Sequence, residues 1–189
     1  MDPSDAELVA RGRTGDREAL QALAERYQRR ILGVAVGMVR NAEDAREVVQ
    51  ETFVRAFRNL DGFKGDSSFY TWLYRIAFNL SIDFQRKESK RTNVEYEESL
   101  PPGDATMAFG GKTRGEDPFD AVRSRELGSK IFEAIGDLTP DHRAVILLRE
   151  VDGLSYEEIS ETLDCSLGTV MSRLHYARKK LQTRLRELV

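Results

Sequence analysis

Residues 153–181 carry the pattern that most limits how this chain can fold, because they predict two short helices separated by a tight turn. Ser155 can cap the first helix, and Glu158 stands three residues later, as a capping box requires. Residues 164–166 interrupt the apolar spacing, and Ser166 can cap the second helix. Such a pair forms a helix-turn-helix, whose second helix lies in the major groove of DNA. An ordinary amphipathic helix with a solvated charged side is the alternative interpretation.

The second helix of this pair has one apolar face and one face rich in donors and cations. The apolar face consists of Val170, Leu174, Ala177 and Leu181, which recur at helical spacing. Donors and cations on the opposite face suit phosphate groups and base edges. The candidate DNA-contacting residues on that face are Thr169, Met171, Ser172, His175, Tyr176, Arg178 and Lys179. Arg173, which neighbours the apolar face, is a further candidate.

The charges of the chain are segregated along the sequence. The formal net charge of −3 argues against a uniformly basic nucleic-acid binder. Residues 171–189 nevertheless hold six basic side chains and one acidic side chain, whereas residues 92–118 hold two basic and six acidic ones. A basic helix beside an acidic connector fits a DNA-binding protein that is restrained until it is needed, although charge runs are more often solvated faces.

Helical periodicity extends along most of the chain and strand signals are nearly absent, so we predict an all-α fold of two small helical domains joined by a flexible linker. Residues 1–91 contain four predicted helices that can bury a common core. Residues 92–118 have no periodicity and are rich in turn residues, which predicts the linker. Residues 119–189 form the second predicted domain, in which Thr139 and Pro140 mark the start of a helix.

The fourth predicted helix, which begins near Phe69, has more aromatic residues than one core stripe requires. Its core face accounts for Phe69, Trp72 and Phe84, and a neighbouring stripe holds Tyr70, Tyr74 and Phe78. Aromatic side chains beside cations suit unpaired bases, because stacking is tolerant of sequence. Packing of the second stripe on another helix is the alternative. The polar and basic residues that fit DNA contact are Arg75, Asn79, Arg86 and Lys87.

The third predicted helix carries a mixed, partly acidic face away from its core positions. That face holds Asp44, Glu47, Gln50, Glu51 and Arg55. Such a face suggests a protein partner rather than DNA, and a merely solvated face is the default alternative.

The sequence offers little support for catalysis. His142 and His175 lie far apart without metal-ligand spacing, and the single cysteine, Cys165, excludes an intramolecular disulfide and a cysteine-rich metal site. We find no phosphate-binding glycine loop and no nucleophile elbow. We therefore predict no catalytic residue, no metal, no cofactor and no small-molecule substrate. With no signal peptide and no membrane-spanning apolar run, we expect a cytoplasmic protein.

Three parts of the sequence together resemble the bacterial sigma factors. Residues 44–57 resemble the signature that binds core RNA polymerase, and residues 63–79 resemble the adjoining region that reads the −10 promoter element. Residues 138–140, with residues 153–159 and 168–173, resemble the domain that reads the −35 element. Two such domains with only a linker between them resemble the extracytoplasmic-function (ECF) group, and the resemblance covers nearly all of the chain outside the linker.

The resemblance implies a role for each group of candidate residues. Contacts with the coiled coil of the polymerase β′ subunit would come from Asp44, Val48, Gln50, Glu51 and Phe53. A base flipped out of the −10 element would be captured by the loop of Phe63, Lys64, Ser67 and Ser68 together with Asn79. Phosphates nearby would be held by Arg75, Arg86 and Lys87. The outward face of the helix-turn-helix would read the −35 element, with Met171 and Tyr176 standing where family members often carry a basic residue.

The partners implied by the resemblance are core RNA polymerase, through its β′ and β subunits, promoter DNA, and an anti-sigma protein, often membrane-bound, that keeps the factor inactive. Two other classes of protein stay open at this point. A two-domain activator or repressor would use the helix-turn-helix without the face of residues 44–57. An anti-sigma or other helical interaction protein would leave the basic face of residues 171–186 unused.

Overall fold

The computed structural model describes residues 2–91 and 118–188, and every regular element in these two ranges is a helix. The helices are α1 (Asp5–Arg13), α2 (Arg17–Val39), α3 (Ala42–Arg58), α4 (Phe69–Arg91), α5 (Pro118–Gly136), α6 (Pro140–Ile146), α7 (Tyr156–Leu163) and α8 (Leu167–Leu188). A 3₁₀ turn (Leu60–Gly62) follows α3, and a π-helical turn (Leu147–Val151) extends α6. The predicted all-α class is confirmed, whereas the predicted linker lies outside the described residues except for Pro118.

Capping side chains define where the first three helices begin. Ser4 and Glu7 form a reciprocal capping box at the start of α1, with the Ser4 amide donating to Oε2 of Glu7 at 2.7 Å. The carboxylate of Asp16 caps α2, and Oδ1 of Asn41 caps α3. Each cap satisfies amide groups that have no partner inside the helix, which typically contributes about 1 kcal/mol.

The first lobe, residues 2–91, is a four-helix arrangement centred on α2. This helix packs against α1, α3 and α4. Its inward stripe includes Leu23, Ile31 and Met38. The stripe shares one apolar cluster with Leu8 of α1 and with Leu73 and Tyr74 of α4, and all six side chains are almost completely buried. The stripe follows from apolar residues repeated every three or four positions, which places them on one side of the helix.

The second lobe, residues 118–188, packs α6, α7 and α5 around α8. Its buried side chains include Leu138, Val145, Leu148, Ile159, Val170 and Leu174. Gly153, at the end of the π-helical turn, has a φ of 72°, a left-handed conformation that glycine adopts without steric cost. The turn directs the chain from α6 into α7 and so positions the helix-turn-helix.

The two lobes are in direct contact. The main apolar cluster runs without interruption from α1 and α2 through α4 to α6, α7 and α8. A second cluster joins Phe132 of α5 to Val36, Val48 and Leu80 of the first lobe. The described helices therefore share one continuous apolar interior, although the sequence pattern divides them into two groups.

Arg143 in α6 is a charged residue within this interior and is only 7% exposed. Its guanidinium donates to the main-chain oxygens of Ile135, Gly136 and Leu138 in its own lobe, and to that of Met38 in the other lobe. Burial lowers the pKa of Arg143 to about 10, and the nearby Arg40 adds to this effect. The side chain satisfies carbonyl groups at the ends of α2 and α5 and links the lobes through them.

Candidate functional site

The helix-turn-helix predicted from the sequence is present in the second lobe. Ser155 and Glu158 form the expected capping box of α7, and Ser166 accepts a hydrogen bond of 3.1 Å from the amide of Thr169 at the start of α8. Asp164 ends α7 with a φ of 49°, and the Ser160 hydroxyl donates to the Cys165 carbonyl across the turn at 2.6 Å. These local bonds fix the angle between α7 and α8.

The outer face of α8 projects away from the second lobe. Val170, Leu174 and Ala177 anchor the opposite face and are at most 1% exposed. Six candidate residues are exposed on the outer side and flanks of the helix: Met171, Ser172, His175, Tyr176, Arg178 and Lys179. Thr169 and Arg173 are half-buried. The structure therefore brings the candidate −35 residues together on one helix.

Both candidate arginines on α8 form ion pairs with acidic residues of the neighbouring α6 and its π-helical turn. Arg173 pairs with Asp141, and Nη2 of Arg178 lies 2.7 Å from Oε1 of Glu150. Its hydrogen bond with Glu150 raises the pKa of Arg178. Both guanidinium groups are thus held at the flanks of α8, on either side of its outer face.

The loop before α4 presents several of the candidate −10 residues. Lys64 and Ser68 are exposed, and Ser67 is half-buried. The half-buried ring of Phe63 packs against Phe69 and Trp72 with centroid distances of 5.6 and 5.3 Å.

Arg13 holds the first part of this loop against α1, because its guanidinium donates to the main-chain oxygens of Leu60 and Phe63. The hydroxyl of Ser68 accepts from the amide of Thr71 at 3.0 Å and so caps the first turn of α4. The loop is therefore braced at both ends, although nothing in the sequence pattern identified Arg13 as its support.

Further along α4, the candidate polar residues lie on an exposed surface. Asn79, Arg86 and Lys87 are exposed. Arg86 lies 4.0 Å from Asp83, one turn earlier, and the amino group of Lys87 lies 5.8 Å from the ring centre of Phe84. These contacts are weak enough to be exchanged for a phosphate.

Arg75 differs from the other candidates on α4 because it contacts the second lobe. Its Nε donates to the main-chain oxygens of Glu161 and Thr162 near the end of α7, at 3.0 and 3.3 Å. Its Nη2 also donates to Glu161. In this arrangement the Arg75 guanidinium is occupied by main-chain carbonyls.

Two of the three residues in the second aromatic stripe of α4 are buried, which corrects the suggestion that these two stack on unpaired bases, and Phe78 is half-buried. Tyr70 and Tyr74 are 5% and 0% exposed, and Tyr70 stacks on Tyr27 of α2 at a centroid distance of 5.7 Å. The alternative, packing on other helices, is correct for these two residues. The cause is the second lobe, whose contact with α4 cannot be inferred from the periodicity of α4 itself.

Asp152 joins this buried region from the second lobe, and sequence reasoning missed it. Its side chain is 5% exposed and lies 3.4 Å from Nε of Arg30, whose guanidinium also sits 3.7 Å from the ring centre of Tyr70. Among the described residues, neither its Oδ2 atom nor the Tyr70 hydroxyl has a hydrogen-bond partner in good geometry. Burial raises the pKa of Asp152, and the nearby Tyr70 and Arg30 offset part of the rise. An aspartate before a glycine reads as an ordinary turn, so no signal in the sequence marks it.

The mixed face of α3 is exposed in part. Gln50 is exposed, Asp44 is half-buried, and Glu51 accepts a hydrogen bond of 2.6 Å from Arg55 one turn later. Together with residues of α4 this face borders an open groove of about 780 Å³. The groove is lined by Glu47, Gln50, Glu51, Val54, Arg55, Leu80, Asp83, Phe84, Arg86 and Lys87.

Two of the residues that the resemblance assigned to polymerase contact are core residues. Val48 is completely buried and Phe53 is 8% exposed. The expectation that their side chains contact a partner is corrected here, because almost no surface of either is available. Their position on the inward side of α3 instead keeps Gln50 and Glu51 directed outward.

Within the described residues, no helix is long and apolar enough to span a membrane. The same two ranges, 2–91 and 118–188, contain no group of three or more His, Cys, Asp or Glu residues arranged to hold a metal ion.

The fold and its exposed faces define a helical DNA-binding protein with a helix-turn-helix in its second lobe. Comparison with known families is more specific. The family model "Sigma-70 region 2" matches residues 23–91, and "Sigma-70, region 4" matches residues 129–181. The ECF RNA polymerase sigma-E factor of Haemophilus influenzae is 37% identical, covering 98% of this chain and 97% of that protein. The sigma-E factor of Escherichia coli K12 is 38% identical, covering 98% and 96%.

The chain belongs to the ECF family of RNA polymerase sigma factors. It is a transcription initiation factor that acts with core RNA polymerase at promoters. Solved structures share its fold. CnrH in complex with the cytosolic domain of CnrY has a TM-score of 0.68 and 26% identity, covering 97% of both chains. The sigma factor RpoE in complex with the anti-sigma factor NepR from Bartonella quintana has a TM-score of 0.65 and 24% identity, covering 87% and 93%.

Proposed function

We propose that residues 1–91 form the domain that binds polymerase and reads the −10 element, that residues 119–189 form the domain that reads the −35 element, and that residues 92–118 link them. The observation that carries the proposal is the pairing of an exposed helix-turn-helix in the second lobe with an exposed mixed face of α3 in the first. In a sigma factor, these two surfaces suit promoter DNA and a protein partner, respectively.

Gln50, Glu51 and Asp44 make the polymerase contact in this proposal. Their polar groups lie on one side of α3, and Glu51 keeps its carboxylate extended by pairing with Arg55. Charged side chains at a rim typically control the rate and specificity of association. Val48 and Phe53 contribute by holding α3 in place rather than by contact.

The loop before α4 and the exposed polar side of α4 hold the melted −10 element. Lys64, Ser67 and Ser68, with the ring of Phe63 beneath them, surround the base that leaves the duplex, and Asn79 contributes an amide. Extruding a base costs a few kcal/mol, which contacts with the flipped base must offset. Phosphates are held by Arg75, Arg86 and Lys87, and Arg75 first has to leave the carbonyls of α7.

The outer face of α8 enters the major groove of the −35 element. Residues near the start of a recognition helix contact base edges, which assigns that role to Thr169, Met171 and Ser172. His175 and Tyr176 follow one turn later. Lys179, Arg173 and Arg178 supply positive charge for phosphates, although the two arginines are paired with acids of the same lobe.

The factor acts in the cytoplasm, has no catalytic centre or cofactor of its own, and is restrained by an anti-sigma protein, which can hold it at the inner membrane. The support is indirect: CnrH, which shares this fold at 26% identity, was solved with the cytosolic domain of CnrY bound to it. In this proposal the anti-sigma protein covers the same polymerase-binding face of α3.

Run-off transcription with purified core polymerase, the chain, and a library of genomic fragments tests the proposal. We expect transcripts that begin at defined sites and require the chain. Their absence, together with no measurable binding to core polymerase, would refute the proposal. A repressor or activator would bind duplex DNA alone without supporting transcription, and a helical interaction protein would bind neither DNA nor core polymerase.

A further inference from the structure

We propose that this chain recognises its −35 element through apolar contacts of Met171 and Tyr176 with the C5-methyl groups of thymines, so that the element is rich in A·T pairs at the positions these residues face. The inference rests on the proposed role of α8 as the −35 reader and specifies the chemistry that it reads.

The exposure of these two side chains is the first observation. Met171 is 56% exposed and Tyr176 is 63% exposed, although both are large and apolar over most of their surface. Of the six large apolar residues that are exposed in the described parts of the chain, three lie on α8, the third being Leu167. Half of the large exposed apolar side chains in the described ranges thus belong to this one helix, which favours α8 as a binding surface.

The position of the two residues on α8 is the second observation. Val170, Leu174 and Ala177 face the core, so helical periodicity puts Ser172 and His175 on the opposite side. Met171 and Tyr176 flank that side in successive turns. The ring of Tyr176 lies edge-on to His175 at a centroid distance of 5.7 Å, which gives the aromatic group a defined place on the face.

The state of the arginines is the third observation. Guanine is read in the major groove mainly by bidentate Arg or Lys contacts with its O6 and N7 atoms. On this helix, Arg173 is held by Asp141, and both Nε and Nη2 of Arg178 donate to Glu150, at 3.1 and 2.7 Å. The ion pairs direct both guanidinium forks towards α6. The first turns of the face, which meet the base edges, are left with Ser172, His175 and apolar surface, and the exposed Lys179 lies two turns beyond Ser172.

Thymine is the base that such a face can distinguish. It is the only base with a methyl group in the major groove, and apolar side chains are its usual contacts. The thioether of Met171 is polarizable and has three rotatable bonds, so it can follow the position of a methyl group. The ring of Tyr176 offers apolar surface while its hydroxyl is free to donate to a phosphate.

Charge favours DNA over a protein as the partner of this surface. Between residues 171 and 186 the sequence has six basic residues and no acidic one. Arg173, Arg178 and Arg184 each pair with an acid from another part of the second lobe, and the remaining basic residues are Lys179, Lys180 and Arg186. A polyanion is attracted to such a segment at long range, and the apolar side chains then act at contact distance.

The test begins with in vitro selection of −35 sequences by the full chain bound to core polymerase. Each thymine in the selected element is then replaced by deoxyuridine, which removes only the methyl group. We expect a loss of affinity of about three- to fivefold at one or two positions, the effect of one buried methyl group. For Met171→Ala, the affinities for the thymine duplex and the deoxyuridine duplex should be equal at one of these positions. For Tyr176→Ala, the two affinities should be equal at another position.

Gln182→Ala serves as the matched control, because Gln182 is exposed on α8 beyond the proposed base contacts. It should keep the preference for thymine. Met171→Arg should shift the selected sequence towards guanine at the position that Met171 reads.

Three results would count against the inference. Equal affinity of the unaltered chain for thymine and deoxyuridine at every position overturns it. Met171→Ala with unchanged DNA binding but weakened binding to core polymerase assigns the surface to a protein and also overturns it. If no sequence is enriched in the selection, the proposed −35 role itself fails, and the inference fails with it.

Discussion

The guanidinium of Arg75 in α4 donates a hydrogen bond of 3.0 Å to the main-chain oxygen of Glu161 near the end of α7. Carbonyl groups at the end of a helix carry partial negative charge and attract a cation. The same guanidinium is proposed to hold a phosphate of the −10 element, and it cannot occupy both places. DNA binding by Arg75 therefore requires its guanidinium to leave these carbonyls, and movement of α7 away from α4 would release it.

We expect the lobes to separate when the chain binds core polymerase and promoter DNA. The distance between spin labels attached at Arg58→Cys and Gln182→Cys, both exposed positions, can report this separation. The labelling uses a Cys165→Ser background, since Cys165 is the only cysteine of the chain. The free chain should give one short, narrow distance distribution, and the complex a longer one. Arg75→Ala should broaden the distribution of the free chain. Identical distributions in the free and bound chain would contradict the prediction.

Asp152 should make the stability of the chain depend on pH. Burial raises the pKa of this carboxyl above its value in the unfolded chain. At pH values between the pKa of Asp152 in the unfolded chain and its pKa in the folded chain, the folded chain binds more protons than the unfolded chain. The free energy of unfolding that Asp152 contributes is therefore fully present below the unfolded pKa and is lost as the pH rises through the folded pKa.

The comparison of the unaltered chain with Asp152→Asn isolates this contribution. Urea unfolding of both proteins between about pH 4 and 8 should show the unaltered chain losing stability relative to the variant as the pH rises. Other carboxyls, such as Glu7 and Asp16, have lowered pKa values and act in the opposite direction, but they are common to both proteins. A constant difference across this range would show that Asp152 does not titrate there.

Local features of this fold could be predicted because their causes are local. Ser155 and Ser166 cap α7 and α8 at the predicted positions, since a cap involves only neighbouring residues. The buried stripe of α8 follows from spacing for the same reason. The family signatures likewise occupy continuous stretches of sequence, which is why the function could be predicted.

Contacts between distant segments could not be predicted in the same way. Tyr70 is buried because Arg30 and Asp152, which lie 40 residues before it and 82 residues after it, pack against it. The ion pair of Arg173 with Asp141 also joins two helices whose relative position no periodicity specifies. The pattern of one helix identifies an inward and an outward face, but it does not identify what covers the outward face.

Arg143 should be far more important for stability than the exposed arginines. Its buried guanidinium donates to four main-chain oxygens, and Arg143→Ala would leave these groups without their partner. We expect a loss of about 3 kcal/mol or more in the free energy of unfolding, measured by urea denaturation. Arg178→Ala removes an exposed ion pair and should cost about 1 kcal/mol or less. Equal costs for the two variants would contradict the role assigned to Arg143.

A pair of variants can distinguish the residues of α3 that contact core polymerase from those that hold the helix in place. Glu51→Lys reverses an exposed charge and should weaken binding to core polymerase about tenfold, equivalent to about 1.4 kcal/mol, while the unfolding free energy changes little. Val48→Ala creates a cavity at a completely buried site and should lower stability by about 1–3 kcal/mol with a smaller effect on core affinity. Fluorescence anisotropy with labelled chain measures the first effect, and urea unfolding the second. Unchanged core affinity in Glu51→Lys would exclude Glu51 from the interface.

The basic side chains of α8 should contribute unequally to the salt dependence of DNA affinity. Lys179 lies on the outer face of α8, so Lys179→Ala should reduce the slope of log K against log salt concentration by about one. Arg173→Ala should reduce it less, because the carboxylate of Asp141 already compensates the Arg173 charge. Asp141→Asn removes the carboxylate that pairs with Arg173 and should make this slope steeper. The measurement is the affinity of the holoenzyme for a −35 duplex at several salt concentrations. Equal reductions for Lys179→Ala and Arg173→Ala would mean that Arg173 leaves its ion pair and binds a phosphate when DNA is present.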